Sequence, residues 1–521
     1  MNPLERTYSI MMSQDSEQLA HRRQFILGPY PLAEFSHWRT RLLGNRLVLQ
    51  VHDDLPLVHV AHKGLRLTLL GFALDPLAPE HDDETILREL AARCPNARQA
   101  PRLASELTGR WVMIVEDGND LILFHDPCGL REVYHTAPDA IDTWCASQPH
   151  LLAEHLRLNV GQAQRQFMRT SYFRENDDAW LPSPATAWDE LSHLTPNHSL
   201  NLKTRSVDRY WPNKPLRYVE FEEGAHLAAQ LLRQTVRAAH RRFPLALPVT
   251  AGMDSRTLLA ATRGLDDIWH YTGVWGVGQR VGADAKVAEQ VLERVRHEHH
   301  VVRCPDKLSK GFWKTYLRNT YAARPRFATA AENMWREFPE GRVQLSGHCS
   351  EIVRDTFRVT HLNQVDAPKL GSMMRMLGAP HAMAQIEQWL ERTRPVAERT
   401  GYRLWDLFFM EQEYGVWAAN QQSQWDLIHD RVTPFNHRGL LSALMGVDPV
   451  HRQPPEFAAH LRMMEILWAE VLQEPFDQPI SRLQRFSRGA RKTLQESGLS
   501  GAFSAGVQRF VGGPVKVVPG R

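Results

Sequence analysis

Short apolar runs separated by polar turns characterise the first part of the chain. Residues 65–72, 111–115 and 120–124 have the length and continuity of buried strands. The segment 116–119 between the last two contains Gly and Asn, which tolerate positive φ, so an antiparallel hairpin is expected there. A helical pattern covers residues 83–93. The pattern therefore predicts an α+β region with antiparallel strand pairing.

The pattern changes near residues 209–215, where two prolines among polar residues favour a domain linker. A helix is expected from 222 to 242, and then apolar strands alternate with helices. The predicted strands are 245–249, 268–277 and 301–302, and the predicted helices between them are 256–263 and 284–296. Alternation of this kind predicts a parallel, doubly wound sheet, and mostly helical sequence follows residue 380. The predicted organisation is residues 1–212, residues 213–500 and a loose tail at 501–521.

Composition narrows the class of protein. A chain of 521 residues is expected to form two or three domains, and its 43% hydrophobic and 23% charged residues are typical of globular proteins. Lys and Arg total 62 against 59 acidic residues, so no basic surface for nucleic acid is predicted. No apolar stretch approaches the roughly 18 residues needed to span a bilayer. The five cysteines lack a CxxC pair, which favours a reducing compartment, and a soluble cytoplasmic protein is expected.

The segment from Pro248 to Thr257 contains the most informative pattern. A buried strand is followed by a tight turn of small residues and then directly by a helix, an arrangement that directs backbone N–H groups at an anion. Thr250, Ser255 and Thr257 add hydroxyl donors, and Gly252 permits close approach of a phosphate. Asp254 would repel that phosphate unless Mg²⁺ bridges the two. The alternative is a simple helix N-cap formed by Asp or Ser without any ligand.

The turn Thr-Ala-Gly-Met-Asp-Ser at 250–255 resembles the S-G-G-x-D-S pyrophosphate loop of the asparagine synthetase family. Residues 344–351 resemble that family's second acidic motif, S-G-E-G-x-D-E, with one position fewer. Residues 430–438 are similar to its R-x-P-F-L-D-x-R segment. Residues 106–111 and 124–134 resemble segments of its glutaminase-like domain. These similarities occur in the family's order over most of the chain, and the relatives include β-lactam synthetases and lasso-peptide cyclases.

The resemblance implies an N-terminal Ntn-hydrolase-like α+β sandwich, then a doubly wound sheet of the adenine nucleotide alpha hydrolase type with a helical C-terminal region. Family members that hydrolyse glutamine use an N-terminal cysteine. This chain has Asn2 there, and its first cysteine is Cys94. A carboxamide is no nucleophile, so the glutaminase-like half is expected to lack that activity. β-Lactam synthetases and lasso-peptide cyclases also lack this cysteine.

The resemblance also implies the reaction and its cofactors, ATP and Mg²⁺. A substrate carboxylate attacks the α-phosphate of ATP, pyrophosphate leaves, and an amine or ammonia then displaces AMP from the acyl-adenylate. Asp254 and Glu351 are the expected metal ligands and catalytic residues, and Arg488 or Lys492 is expected to meet the adenylate phosphate. The remaining predicted nucleotide-binding residues are Val249, Thr250, Ala251, Gly252, Met253, Ser255, Gly273, Ser346 and Gly347.

Several of these residues have simpler interpretations. His348 and Cys349 replace an acid and a glycine of the second motif, so Glu351 alone remains as an oxygen ligand there and could be an ordinary surface carboxylate. Arg488 and Lys492 could form a solvated basic helix face. Asp284 is interpreted as an N-cap. The cluster at 297–300 lacks a second ligand pair at metal spacing, and the aromatic residues between 405 and 425 are interpreted as helical core.

The function predicted from the sequence is an AMP-forming amide ligase acting on a small molecule or peptide that offers a carboxylate and an amine. A partner protein of the same pathway is a further expected partner. Two alternatives stay open: a lasso-peptide-type macrocyclase with a groove for a peptide, and a catalytically inactive ATP-binding scaffold.

Overall fold

The computed structural model describes residues 18–476 apart from 45, 276–281, 305–306, 322 and 358–364. Arg488, Lys492 and the tail at 501–521 lie outside the described residues. Within the described residues, the chain up to Glu474 belongs to one compact unit. The domain boundary expected near residue 212 stays a prediction.

Within the described residues, the first part of the chain forms two six-stranded sheets. Their strands are β1 Phe25–Gly28, β2 Arg39–Leu43, β3 Leu47–Val51, β4 Leu57–His62, β5 Leu65–Leu74, β6 Thr108–Glu116, β7 Leu121–His125, β8 Tyr134–Thr136, β9 Cys145–Ala146, β10 Leu191–His193, β11 His198–Asn201 and β12 Val207–Arg209. The strand orders are β10-β8-β9-β1-β3-β2 and β12-β11-β7-β6-β5-β4. The expected hairpin is confirmed, because β6 pairs antiparallel with β7 and Gly118 has φ +87°. One buried apolar cluster contains side chains of both sheets.

A parallel sheet follows, as the alternating pattern predicted. Its strands are β13 Leu245–Pro248, β14 Ile268–Trp275, β15 His300–Cys304, β16 Val343–Leu345 and β17 Arg431–Val432. The order is β15-β14-β13-β16-β17, and every pairing is parallel. The chain therefore builds one side of the sheet from β13 outward and then returns to the other side at β16. Loops after β13 and β16 diverge at this switch point, where α/β sheets commonly bind ligands.

The described α-helices are α1 Asp83–Arg93, α2 Ala100–Leu103, α3 Pro149–Leu156, α4 Gln162–Phe167, α5 Ser171–Glu175, α6 Phe221–Arg242, α7 Met253–Ala261, α8 Ala283–Arg294, α9 Lys310–Asn319, α10 Pro325–Glu337, α11 Ala367–Met373, α12 Pro380–Thr400, α13 Leu404–Phe408, α14 Ala419–Trp425, α15 Arg438–Met445 and α16 Ala458–Trp468. The predicted helix at 83–93 is confirmed. The helix expected at 256–263 begins earlier, at Met253, so the preceding turn is shorter than predicted. A π-helix, Phe409–Ala418, joins α13 to α14.

A buried ion-pair cluster joins the antiparallel sheets to the segment around β17. Arg110 and Arg131 form ion pairs with Asp426 and Asp430, and each of these four side chains is less than a tenth exposed. Nearby, the Asn436 side chain accepts a hydrogen bond from the backbone N–H of Cys128 at 2.8 Å. Residues 124–134 and 430–438 therefore connect the antiparallel sheets to the parallel sheet.

The segment expected to be a linker is not loosely attached. Tyr210 and Trp211 are buried, and Arg209 forms an ion pair with the buried carboxylate of Glu411. The five cysteines are buried and free of disulfides. Among the described helices, none has the length and apolar character required to cross a membrane.

Candidate functional site

The turn after β13 presents the start of α7 without a side-chain cap. Gly252 is the N-cap residue, and Asp254 and Ser255 lie inside the first helical turn. The expectation that Asp or Ser might cap this helix is therefore wrong. The first N–H groups of a helix have no acceptor within the helix and carry the positive end of its dipole. This turn can consequently bind an anion.

Hydroxyl groups hold the turn in shape. The backbone N–H of Thr250 donates to Ser255 Oγ at 3.1 Å, and the N–H of Gly252 donates to Thr250 Oγ1 at 3.1 Å. The two hydroxyls lie 3.0 Å apart. Thr257 was expected to donate its hydroxyl hydrogen to a ligand. The hydroxyl instead donates to Met253 O at 2.8 Å within the helix. The first two hydroxyls fix the turn, and the third belongs to the helix.

The second motif touches the first at a glycine. Residues Ser346 and Gly347 follow β16, and the N–H of Ser346 donates to Val432 O at 2.8 Å. A Cβ atom added to Gly347 would lie 2.8 Å from the Cβ of Asp254. Such a distance is sterically prohibitive without movement. Gly347 therefore allows the two loops to approach each other. This close approach explains the absence of a side chain at position 347 better than a contact with phosphate does.

Asp254 and Glu351 face the same place, and a guanidinium lies between them. Arg354 Nη2 donates to Asp254 Oδ2 at 2.8 Å and to Glu351 Oε1 at 2.7 Å. The Tyr414 hydroxyl donates to Glu351 Oε2 at 3.0 Å. The two expected metal ligands thus contact one cationic group. That group is an arginine side chain, which the sequence did not predict.

The residues present fit a magnesium ion in part. Mg²⁺ commonly takes one or two protein carboxylates and completes its octahedron with water and phosphate oxygens. Asp254 and Glu351 supply two such carboxylates that already reach a single cation. No group of three or more His, Cys, Asp or Glu side chains suited to a metal occurs in the described part of the chain. The Arg354 guanidinium would have to move for a metal to contact both carboxylates.

A cavity of about 880 Å³ opens beside the two loops. Of the predicted residues, those that line it are Thr250, Gly252, Asp254, Ser255, Ser346, Gly347 and Glu351. Its volume lies within the usual range for small-molecule sites. Because these residues come from the turns after adjacent strands β13 and β16, the sheet order brings them together.

Four predicted residues do not line the cavity: Val249, Ala251, Met253 and Gly273. The backbone N–H of Val249 donates to Tyr271 O at 2.8 Å, and its carbonyl accepts from the Thr272 hydroxyl at 2.6 Å. Ala251 is fully buried. The expected adenosine contacts at Val249 and Gly273 are therefore not brought to the cavity wall.

Arg431 is a lining residue to which the sequence interpretation gave no role. Its side chain is buried, its Nε has no hydrogen-bond partner among the described residues, and its guanidinium lies 4.7 Å from the centre of the Trp425 ring. Burial lowers the pKa of Arg431 to about 9, which still leaves it charged at neutral pH. Its place in the segment 430–438 was the signal that could have identified it.

His348, which stands where the family motif has an acid, also faces the cavity. Burial, with a smaller effect of Arg431, lowers the pKa of His348 to about 3, so the ring is neutral. Its Nδ1 atom is buried without a hydrogen-bond partner within the described structure. The second motif thus offers a neutral imidazole in place of a negative charge.

Asp284 and the histidines of the cluster at 297–300 do not line this cavity. Asp284 is an exposed residue in the first turn of α8, whose N-cap is Gly282, so its interpretation as the cap is wrong. His299 contacts the Thr272 hydroxyl at 2.8 Å. Trp405 is buried core, as expected for the aromatic stretch, whereas Trp417 is only partly buried and lines the cavity.

Comparisons with known proteins add little. No family model matches the chain, and no curated protein matches it. One solved structure, described as the allosteric regulatory enzyme of purine biosynthesis, shows 12% identity and a TM-score of 0.24 over 46% of this chain and 56% of that chain. Glutamine phosphoribosylpyrophosphate amidotransferase from B. subtilis, complexed with ADP and GMP, shows 11% identity and a TM-score of 0.24 over 72% and 89%. Against the first of these, the chain spans just over half the neighbour's length.

Proposed function

We propose that this protein is an ATP-dependent, AMP-forming amide ligase of the asparagine synthetase type without glutaminase activity. The observation that supports the proposal is the cavity at the switch point between β13 and β16. There Asp254 and Glu351 converge on one cation position, beside an uncapped helix N-terminus and the buried cation of Arg431. Paired carboxylates for a metal and positive groups for phosphate are what a nucleotide polyphosphate requires.

The proposal includes the finer description of the fold. We infer that the two antiparallel sheets form an Ntn-hydrolase-like sandwich and that the parallel sheet is doubly wound. The strand order with its reversal at β16 supports the second inference. In this description the antiparallel half stabilises the ligase half through the Arg110, Arg131, Asp426 and Asp430 cluster.

The proposed reaction balances in two steps. A carboxylate oxygen of the donor bonds to the α-phosphorus of ATP as the bond to pyrophosphate breaks. An amine nitrogen then bonds to the acyl carbon, AMP leaves with the electrons of the C–O bond, and the amine gives up one proton. Mg²⁺, held by Asp254 and Glu351, would supply positive charge against the polyphosphate. The N–H groups at the start of α7 and the guanidinium of Arg431 would bind phosphate oxygens and stabilise the charge that moves onto them.

The test measures AMP and pyrophosphate formed from ATP, Mg²⁺ and panels of carboxylic acids and amines. The unmodified protein should form AMP, and pyrophosphate beyond one equivalent of enzyme, only when acid and amine are both present. Asp254→Asn should lower the rate by about 10²-fold, as expected for disruption of a metal site. Asp284→Asn is the matched control, because Asp284 is also the second residue of a helix that follows a parallel strand, yet lies outside the cavity. Equal loss in both variants, or AMP formation unaffected by Asp254→Asn, would contradict the assignment.

A nucleotide-binding scaffold is the second candidate, and the position of Arg354 favours it. A guanidinium that neutralises both carboxylates could replace the metal permanently. In that case ATP should bind with the same affinity in the presence of Mg²⁺ or of a chelator, and no acid and amine pair should produce pyrophosphate.

A further inference from the structure

Arg431 is a buried cation without a counter-charge. Its side chain is 5% exposed and lines the cavity beside the turns after β13 and β16. The guanidinium lies against the Trp425 ring, and it forms no ion pair and donates no hydrogen bond to any described residue. Its Nε atom is sealed, whereas Nη1 and Nη2 keep accessible surface at the cavity. A buried charge without a partner costs folding free energy, so its presence points to an anionic ligand.

Gln344 lies beside Arg431 and is in the same condition. Its side chain is 7% exposed and lines the same cavity. Neither of its amide atoms forms a hydrogen bond with a described residue, and neither is sealed from the cavity. Buried polar groups are normally paired, so two adjacent side chains with available N–H donors indicate a ligand that accepts hydrogen bonds.

The register of the parallel sheet places these two side chains together. Gln344 pairs with Arg431 on one side and with Ala246 on the other. Paired residues of neighbouring strands direct their side chains to the same face of the sheet, about 5 Å apart. Because Ala246 precedes the end of β13 at Pro248 by two residues, this row lies about 7 Å before the edge where the turn begins. Arg431 and Gln344 therefore lie on the face of the sheet, set back from the turn at 250–255.

The other charged residues of the cavity do not neutralise Arg431. The carboxylates of Asp254 and Glu351 both accept hydrogen bonds from Arg354. Arg326, which also lines the cavity, forms no ion pair within the described part of the chain and adds a second positive charge. The cavity therefore has positive charge available for an anion that comes with the ligand.

The walls next to the two donors are apolar, and they favour a carboxylate over a phosphate group. Phe327 and Ala330 come from α10, and Trp425 comes from α14. A terminal phosphate group has three oxygens, and any oxygen left unpaired against these walls would be costly to bury. A carboxylate has two oxygens, which the guanidinium of Arg431 and the amide N–H groups of Gln344 can pair. The walls then contact an apolar body attached to the carboxylate.

We propose that Arg431 and Gln344 bind the carboxylate of the acid substrate, a carboxylic acid with a compact apolar body. The assignment to a substrate rests on the proposed ligase function, whereas binding of a carboxylate does not. In that function one Nη group of Arg431 would hold the carboxylate and the other would stay available to a phosphate oxygen. The guanidinium would thus position the two reactants against each other.

The binding test uses the full-length protein with a chelator and without ATP. Benzoate, phenylacetate and hexanoate are each compared with the amide of the same acid, which has nearly the same shape and no charge. Isothermal titration calorimetry should give at least one acid a dissociation constant about tenfold or more below that of its amide, as expected for a charge-assisted hydrogen bond. If no acid binds more tightly than its amide at up to millimolar concentration, the proposal is overturned.

An arginine variant locates the binding. Arg431→Gln should weaken binding of the acid about tenfold or more, and it should not lower the midpoint of urea unfolding, because the charge that it removes has no partner. Arg438→Gln is the matched control. Arg438 is similarly buried in the same segment and lies outside the cavity, but it donates to Asn197 Oδ1 at 3.0 Å and to the Tyr210 hydroxyl at 2.8 Å. This control should lower the unfolding midpoint and leave acid binding unchanged.

A second variant and a second anion sharpen the test. Gln344→Leu removes one donor and should weaken acid binding about threefold to tenfold. Acid binding that survives Arg431→Gln places the probe elsewhere and refutes the assignment. An unfolding midpoint that falls as far in Arg431→Gln as in Arg438→Gln shows a structural role and refutes it too. Pyrophosphate binding that depends on Arg431, without binding of any acid, assigns the guanidinium to the nucleotide alone and removes the carboxylate site.

The two proposals fail in different ways. Acid binding that Arg431→Gln abolishes, without pyrophosphate release from any acid and amine pair, would retain the carboxylate site and remove the ligase. Pyrophosphate release that depends on Asp254 but shows the same KM for the acid in Arg431→Gln would retain the ligase and remove the carboxylate site.

Discussion

Replacing Asp430 tests whether the buried ion-pair cluster holds the two halves of the molecule together. Its carboxylate accepts from Arg131 Nη2 at 3.2 and 3.3 Å and from Arg110 Nη1 at 3.3 Å. Asp430→Asn keeps the size of the side chain and removes its charge, so two buried guanidinium groups share the remaining carboxylate of Asp426. The change therefore isolates the charge from the packing.

The magnitude follows from burial. The side chains of Arg110, Arg131 and Asp430 are 1%, 2% and 9% exposed. Removing one partner of such a pair costs about 3–5 kcal/mol, because the other charge stays in a poorly solvated place. Asp426 still neutralises Arg110, so we expect a loss near the lower limit, about 3 kcal/mol in the free energy of unfolding.

The assay is urea unfolding followed by circular dichroism at pH 7. Asp53→Asn is the control, because Asp53 pairs with Arg39 at 3.6 Å on the surface and its side chain is 69% exposed. Exposed pairs contribute about 0–1 kcal/mol, so this variant should be nearly neutral. If Asp430→Asn lowers the free energy of unfolding no more than Asp53→Asn does, the cluster does not hold the halves together and the reasoning is refuted.

The pH dependence of the same variant provides a second measurement. Burial would raise the pKa of Asp430, but the guanidinium groups of Arg131, Arg110 and Arg23 outweigh it and lower that pKa to about 2. A lowered pKa in the folded protein means that the carboxylate stabilises the fold above its unfolded pKa of about 3.9 and loses this effect as pH falls toward 2. Asp430→Asn should therefore be less sensitive to acid between pH 4 and pH 2 than the unmodified protein.

Two further predictions concern the site, and a third concerns Glu413, a carboxylate of the π-helix Phe409–Ala418 that does not line the cavity. Arg354→Gln removes the guanidinium that contacts both carboxylates, so Mn²⁺ without nucleotide should bind about fivefold to tenfold more tightly in calorimetry, as expected from loss of an ion pair worth about 1 kcal/mol. Gly347→Ala should displace Asp254 and lower AMP formation at least tenfold with little loss of stability, as the 2.8 Å approach requires. Burial, with added repulsion from Glu351, raises the pKa of Glu413 to about 8. The protonated carboxyl is therefore favoured in the folded protein, and the stability that it contributes is present below pH 4.5 and lost as pH rises through 8. Glu413→Gln should remove this pH-dependent decrease in the free energy of unfolding.

Controls separate these effects from general damage. Arg462 also bridges two carboxylates, Glu222 and Glu465, but lies away from the cavity, so Arg462→Gln should leave Mn²⁺ binding unchanged. A Cβ atom added to Gly378 would have no atom within 4 Å, so Gly378→Ala should leave AMP formation unchanged. Tighter Mn²⁺ binding in both arginine variants, equal losses in both glycine variants, or an unchanged pH profile in Glu413→Gln would contradict the corresponding prediction.

Local patterns in the sequence determined much of the secondary structure. Helix α1 begins and ends at the predicted residues because an aspartate cap and an apolar stripe define it locally. The hairpin β6–β7 was predictable because a Gly-containing turn separates two continuous apolar runs. The start of α7 at Met253 was missed, since Gly252 gives no side-chain signal for a cap.

Residues of the candidate site could be predicted from the sequence only where they belong to a recognisable motif. Asp254 and Glu351 were identified separately, and it is the parallel order of β13 and β16 that brings their loops together. Arg354 and Arg431 could not be assigned, because the function of an arginine depends on which groups lie opposite it, and only the folded chain decides that.

Trp417 shows the same division between sequence and tertiary structure. Its spacing from neighbouring aromatic residues indicates a helix face, and that prediction is correct for Trp405. Spacing along one helix cannot tell whether other side chains fill the space against that face. The sequence by itself therefore determined which segments become strands and helices, because this depends on neighbouring residues. The cavities around Trp417 were decided by the tertiary structure, because they arise from packing between segments that are distant in the chain.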